Sequence, residues 1–167
     1  MKTDSEKKNK FRSIASVIVI LVLVLCILFN LLFFVSRVPT ESMTPTISAD
    51  AAIIVKKVMN HYDYGDIVVF YSDEWEEYLV KRLIGKSGDT IIITEKDGIY
   101  RNGEKLDEPY LAEDYVYEAA EYQVPEGSYF FLGDNRDDSI DSREWNTPYI
   151  TEEQIKGKVV YILNRKD

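Results

Sequence analysis

Gly98-Ile99-Tyr100-Arg101-Asn102-Gly103-Glu104-Lys105-Leu106 is the stretch that decides the fold. Asn102-Gly103 sits between two short runs, and both central positions of a type I′ turn need positive φ, which Asn and Gly adopt at least cost. The stretch predicts a β-hairpin. Outward from it the pattern recurs: residues 51–55, 67–71, 78–84, 90–94, 98–101, 128–132 and 158–163 are short runs rich in Val, Ile, Tyr and Phe, broken by turn residues. Each predicts a strand. No repeat of fixed period and no low-complexity segment interrupts them. Residues 107–123, acidic with Tyr110, Tyr115, Tyr117 and Tyr122 interspersed, read as a solvated excursion with no assigned chemistry. The expected body is mainly β, an antiparallel sheet.

Before that body the chain is different. Residues 14–35, IASVIVILVLVLCILFNLLFFV, carry no charge. As a helix this run spans about 33 Å, enough to cross a hydrocarbon core. Lys2, Lys7, Lys8, Lys10 and Arg12 precede it, and Arg37 alone follows closely, so the positive-inside rule places the N-terminus in the cytoplasm. A cleaved secretory signal would have a shorter apolar region and a small-x-small site, whereas Ser36-Arg37-Val38-Pro39 follows here. The expected division is a cytoplasmic segment 1–13, a transmembrane anchor 14–35 and an extracytoplasmic catalytic domain 36–167, in the cell membrane. The net charge of −9 hides a head of +3 over residues 1–12, so the remainder is strongly acidic. An acidic body argues against nucleic acid as a partner. Cys26 is the single cysteine and lies in the apolar run, so there is no internal disulfide and no Cys/His cluster for a metal. No metal and no cofactor is expected.

Thr40-Glu41-Ser42-Met43-Thr44-Pro45-Thr46 begins five positions beyond the apolar run, and Ser42 is the candidate nucleophile. The single histidine, His61, stands in the polar turn-like stretch Asn60-His61-Tyr62-Asp63-Tyr64-Gly65, where an exposed turn residue accounts for it better than a catalytic triad. A serine without a histidine base needs another proton acceptor. Lysine can serve if burial disfavours its ammonium form. In Tyr78-Leu79-Val80-Lys81-Arg82-Leu83-Ile84-Gly85, strand alternation puts Lys81 on one face with Leu79 and Leu83, whereas the other body lysines lie near turns or strand ends. Gly133-Asp134-Asn135-Arg136-Asp137-Asp138-Ser139-Ile140-Asp141-Ser142-Arg143 concentrates hydroxyls, carboxylates and two arginines. It reads either as a polar loop whose Asp and Arg hold a turn, or as a bidentate framework that positions a hydroxyl.

Together these stretches resemble the bacterial type I signal peptidases, in particular the small single-span Gram-positive type. The boxes run in order: Ser42-Met43-Thr44-Pro45-Thr46, then Tyr64-Gly65-Asp66-Ile67-Val68-Val69-Phe70, then Val80-Lys81-Arg82 with Gly85 and Gly88-Asp89-Thr90, then residues 133–143. Asn102-Gly103 and Glu108-Pro109-Tyr110-Leu111 also look like these members. The resemblance implies a signal peptidase or Ser-Lys protease fold on one membrane helix, and a serine endopeptidase that removes signal peptides from exported preproteins. It implies Ser42 as nucleophile, Lys81 as general base, and an oxyanion hole of the Ser42 amide and Thr40 hydroxyl. Ser139 would orient Lys81, the Asp141–Arg143 pair would stiffen the loop, and Arg82–Asp134 would form a second supporting pair. Val38, Pro39 and Met43 with Leu79 and Val80 would line the substrate site, which would take preproteins with small residues at −1 and −3 at the bilayer surface.

Two residues depart from the family pattern. Glu41 stands beside the nucleophile where many members have Gly or Asp, and a carboxylate close to Lys81 would favour its protonated form. Trp145 is followed by Asn146-Thr147-Pro148 rather than Gly-x-Val. Two other readings use the same boxes: a catalytically silent tethered binding module, which intact Ser42 and Lys81 oppose, and a self-cleaving Ser-Lys regulator, which would need a DNA-binding head in place of the apolar one.

Overall fold

The computed structural model describes residues 4–164 except 58, 60, 113, 114 and 117. Lys2, part of the charge argument, lies outside the described residues. The chain opens on helix α1, Asp4–Leu32. Its segment Lys10–Leu32, 23 residues, is apolar enough and long enough to span a membrane, and its most apolar window is not buried against the body. Asn30, a polar residue near the end of the run, donates its Nδ2 to the Cys26 carbonyl at 2.8 Å, which satisfies it within the helix.

The helix ends at Leu32, three residues before the expected boundary. Phe33, Phe34 and Val35 belong instead to strand β1, Phe33–Val38, which pairs antiparallel with β2, Ala51–Lys56. The stop is physical. Lys57 donates its backbone N–H to the Leu32 carbonyl at 2.9 Å and its Nζ to the Asn30 carbonyl at 2.7 Å, taking two of the orphan acceptors of the last turn.

Nine further strands follow: β3 (Ile67–Ser72), β4 (Glu77–Lys86), β5 (Thr90–Thr94), β6 (Gly98–Arg101), β7 (Glu104–Lys105), β8 (Ala120–Gln123), β9 (Ser128–Leu132), β10 (Ile150–Thr151) and β11 (Ile155–Leu163). They form a seven-stranded sheet in the order β1-β2-β11-β3-β4-β9-β10 and a four-stranded sheet in the order β7-β6-β5-β8, with antiparallel pairing throughout. The Asn102-Gly103 hairpin forms as its sequence predicts: Arg101 faces Glu104, and φ is 54° at Asn102 and 83° at Gly103. The acidic excursion is less irregular than its composition suggests, because its end, β8, pairs with β5.

Three apolar clusters hold the body together. Val38, Met43, Ile47, Ile53, Val55 and Val69 pack on one face of the large sheet. Val68, Phe70, Leu83, Phe131 and Trp145 pack on the other. Ile84, Phe130 and Leu132 join Ile91, Ile93 and Ile99 to seat the small sheet on the large one.

Candidate active site

Ser42 stands in a tight turn directly after β1. The turn is held from within by Thr44 N–H on the Glu41 carbonyl at 2.9 Å and Ile47 N–H on the Met43 carbonyl at 2.8 Å. Met43 and Ile47 are wholly buried and anchor it in the apolar core. Lys81, on the interior strand β4, stands opposite Val68 of β3 and is 3% exposed. Its Nζ lies 2.6 Å from Ser42 Oγ.

Burial pushes the Lys81 ammonium down to about 8, with Asp141 the strongest charge working against that fall and Arg143 adding to it. At neutral pH about a tenth of such a lysine is uncharged. Thr40 Oγ1 lies 3.2 Å from Ser42 Oγ. Among the described residues no carbonyl or side chain accepts the Ser42 amide, which leaves it available to an incoming oxygen. A buried amine on a serine hydroxyl, beside a free amide and a second hydroxyl, can carry out acyl transfer.

The loop from Gly133 to Arg143 packs behind the serine. Gly133 must be glycine, because a Cβ there would meet Ser139 Oγ at 2.1 Å and the Ser42 carbonyl at 2.5 Å. Asp141, fully buried, accepts Gly133 N–H at 2.9 Å, Ser139 Oγ at 2.9 Å and the Arg143 guanidinium at 2.8 and 2.9 Å. Asp134, also fully buried, takes the Arg82 fork at 2.7 and 2.5 Å and Thr46 Oγ1 at 2.5 Å. One guanidinium thus ties the segment after the serine, the strand of the lysine and the distal loop together, and its third arm donates to the Gly65 carbonyl at 2.7 Å.

Ser139 differs from its expected role. Its hydroxyl donates to the Asp141 carboxylate, and among the described residues the hydrogen-bond partner of Lys81 is Ser42. Glu41 is exposed, and it is not among the charges that move Lys81. His61 is 75% exposed and lies 3.8 Å from Asp63, away from the serine. Trp145 is a core residue, packed edge-on against Phe70 at 5.8 Å. Sequence reasoning quoted Glu108 and Tyr110 for the resemblance and Arg136 as one of the two loop arginines, and gave none of the three a role of its own. Glu108 pairs with Arg136 at 2.5 Å, and the Tyr110 ring lies 3.8 Å over the Arg82 guanidinium. The available signal was a buried-type aromatic and a proline set within an otherwise acidic run.

A groove lies between β1 and β4. Among the described residues β1 pairs only with β2, and residues 77–81 of β4 pair only with β3, because pairing with β9 begins at Arg82. Between these two free edges lies a cavity of about 540 Å³ lined by Phe34, Ser36, Lys57, Val69, Tyr78, Ile155 and Lys156. Val38, Val80 and Met43 share one cluster at the serine end. Leu79 belongs to the opposite face, packed near Phe70 and Trp145, and Pro39 is exposed between β1 and the turn. Strand alternation makes Val80 and Leu79 point apart, so of the two only Val80 offers its side chain to the groove.

An antiparallel β body carried by one apolar helix, with a buried lysine set on a serine hydroxyl, fits a membrane-anchored hydrolase of the peptidase class. The chain belongs to the signal peptidase family, peptidase S26, whose family model matches residues 11–164. It is 33% identical to signal peptidase I T of Bacillus subtilis (strain 168), covering 97% of this chain and 90% of that one. It is 37% identical to a signal peptidase I of Bacillus licheniformis over 85% of this chain and 82% of that one. The crystal structure of a signal peptidase I from Enterococcus faecalis V583 matches with a TM-score of 0.54 at 32% identity, covering 60% of this chain and 98% of that one.

Proposed function

We propose that this protein removes signal peptides from exported preproteins at the outer face of the cell membrane, with Ser42 as nucleophile and Lys81 as general base. The observation that carries the reading is the 2.6 Å approach of a buried lysine to Ser42 Oγ. Ser42 Oγ attacks the carbonyl carbon of the scissile peptide while neutral Lys81 takes the hydroxyl proton. The oxyanion is held by the Ser42 amide and the Thr40 hydroxyl. Collapse expels the new N-terminal amine, which receives the proton from Lys81. Lys81 then deprotonates a water that hydrolyses the acyl ester and frees Ser42. The Asp141–Arg143 and Arg82–Asp134 pairs hold this geometry.

The substrate adds as an extended strand between the free edges of β1 and β4. Val38, Val80 and Met43 support the small residues at −1 and −3, with Pro39 and the Leu79 backbone on the rim. Segment 1–13 is cytoplasmic, α1 crosses the bilayer, and the remainder forms the extracytoplasmic catalytic domain. The basic head and the apolar length of α1 support that orientation.

Incubation with a reporter preprotein carrying an Ala-x-Ala site, followed by N-terminal sequencing of the product, tests the reading. Ser42→Ala and Lys81→Ala each abolish cleavage, and His61→Ala leaves it intact. Full activity in Lys81→Ala would sink the mechanism. Protection of the body from protease added to intact cells would refute the orientation.

A further inference from the structure

Residues 108–110 project from the acidic excursion into the back of the active-site framework. There they meet two arginines. The Tyr110 ring covers the Arg82 guanidinium, with 3.8 Å from the Arg82 Cζ to the ring centroid. The Tyr110 hydroxyl donates to Glu108 Oε1 at 2.7 Å. The same Glu108 oxygen accepts Arg136 at 2.5 Å, in a pair whose side chains are 1% and 8% exposed. Arg136 in turn donates its Nε to the Gly133 carbonyl at 2.9 Å, and its own carbonyl accepts Arg143 at 2.9 Å.

Both arginines therefore stand one step removed from the reacting groups. Arg82 follows Lys81 on β4 and is locked to Asp134 and the Gly65 carbonyl. Gly133, which Arg136 pins, has no room for a Cβ beside the Ser42 carbonyl. The charges balance, since Arg82 and Arg136 are met by Asp134 and Glu108 within a water-poor volume. Burial and the Glu108 carboxylate raise the Tyr110 phenol above its ordinary value, so it remains a neutral donor throughout the working range.

We infer that Glu108 and Tyr110 form a clamp that positions Arg82 and Arg136, and through them sets the spacing of Lys81 and Ser42. They are positioning residues, since neither touches the reacting atoms. The excursion that carries them is thereby part of the machinery of cleavage. The inference rests on the Ser42–Lys81 reading of the site.

The full chain in detergent, with the Ala-x-Ala preprotein as probe, supplies the test: kcat, KM, the pH profile and thermal unfolding are measured together. The groups that set the Lys81 charge are Asp141, Arg143, Glu77 and Asp134, with Ser42 in contact. A loosened clamp admits water to that group, so the acid limb of kcat moves to higher pH. Tyr110→Leu and Glu108→Ala are expected to lower kcat about tenfold or more and to shift the limb by about half a pH unit or more, with KM within about threefold. Glu108→Gln, which keeps an acceptor, restores most of the kcat that Glu108→Ala loses. Tyr110→Phe, which keeps the ring over Arg82, loses less than about fivefold. If one truncating variant fails to fold, the other is read alone, and if both fail, Tyr110→Met, which also removes the ring over Arg82, is read in their place. Wild-type kcat with an unmoved limb in a folded truncating variant overturns the clamp, as does a loss that only tracks the folded fraction. A wild-type chain that cleaves nothing would instead overturn the Ser42–Lys81 reading beneath it.

Discussion

Lys81 is the residue at which folding and chemistry oppose each other. A solvated lysine would be a protonated bystander, and burial brings its pKa down to about 8. Below that value it is protonated and, in the proposed mechanism, could not accept the serine proton, so kcat/KM is expected to rise with pH through about 8 and then level off. A flat profile between pH 5 and 10 would contradict this. The same shift appears in stability with a definite sign. Between pH 8 and the ordinary lysine value the unfolded chain binds more protons than the folded one, so this group's penalty is relieved as pH rises, and below pH 8 it is borne in full. Lys81→Met, inactive, should therefore be more stable than the parent by about 1–3 kcal/mol at pH 6.5, and the gain should shrink by pH 10.5. Thermal unfolding at the two pH values checks it. Lys81 itself was legible as an ionisable residue on an apolar strand face. The partner of Ser139 was not, because a hydroxyl chooses between an amine and a carboxylate by three-dimensional proximity that no spacing records.

At the scale of elements, strands with a local signature were read from the sequence and those defined by distant partners were not. Asn102-Gly103 carries its own turn chemistry, and the hairpin follows from it. Phe33-Phe34-Val35 suits a membrane helix and an edge strand equally, so hydropathy assigns it to the helix. Lys57, distant in sequence, decides otherwise by taking the Leu32 and Asn30 carbonyls. Likewise β8 is too short for its alternation to stand out, and only pairing with β5 reveals it. Lys57→Ala removes the side-chain bond and retains the backbone one. It should cost about 0.5–1.5 kcal/mol of body stability and fray the last helical turn. Hydrogen exchange at residues 29–35 and thermal unfolding would report it, and unchanged protection there would deny the capping role.

The whole molecule couples one exposed apolar helix to a body that is otherwise self-contained. Because β1 contributes Phe34 and Val38 to the first apolar cluster, the boundary at which the anchor can be removed is sharp. A chain beginning at residue 33 should remain folded and cleave a soluble peptide within about tenfold of the parent. It should lose far more on a membrane-embedded preprotein, for which anchoring supplies effective concentration. A chain beginning at residue 39 loses an entire edge strand and should aggregate. Circular dichroism and size-exclusion chromatography of the two truncations distinguish these outcomes, and equal behaviour would show β1 to be dispensable. The sequence signalled an anchor and a body, while the point at which one becomes the other emerged only from the pairing of β1 with β2.

That junction has a geometric consequence. Helix α1 passes into β1 with no intervening residue, Leu32 being helical and Phe33 already paired. A six-residue strand extends about 20 Å. With α1 in the bilayer and Ser42 as the nucleophile, as proposed, the anchor and the cutting edge would act as a gauge rather than a tethered blade. A bond presented too near the bilayer, or too far from it, would then fall outside the gauge whatever residues flank it, and selection among substrates would be partly a measurement of height.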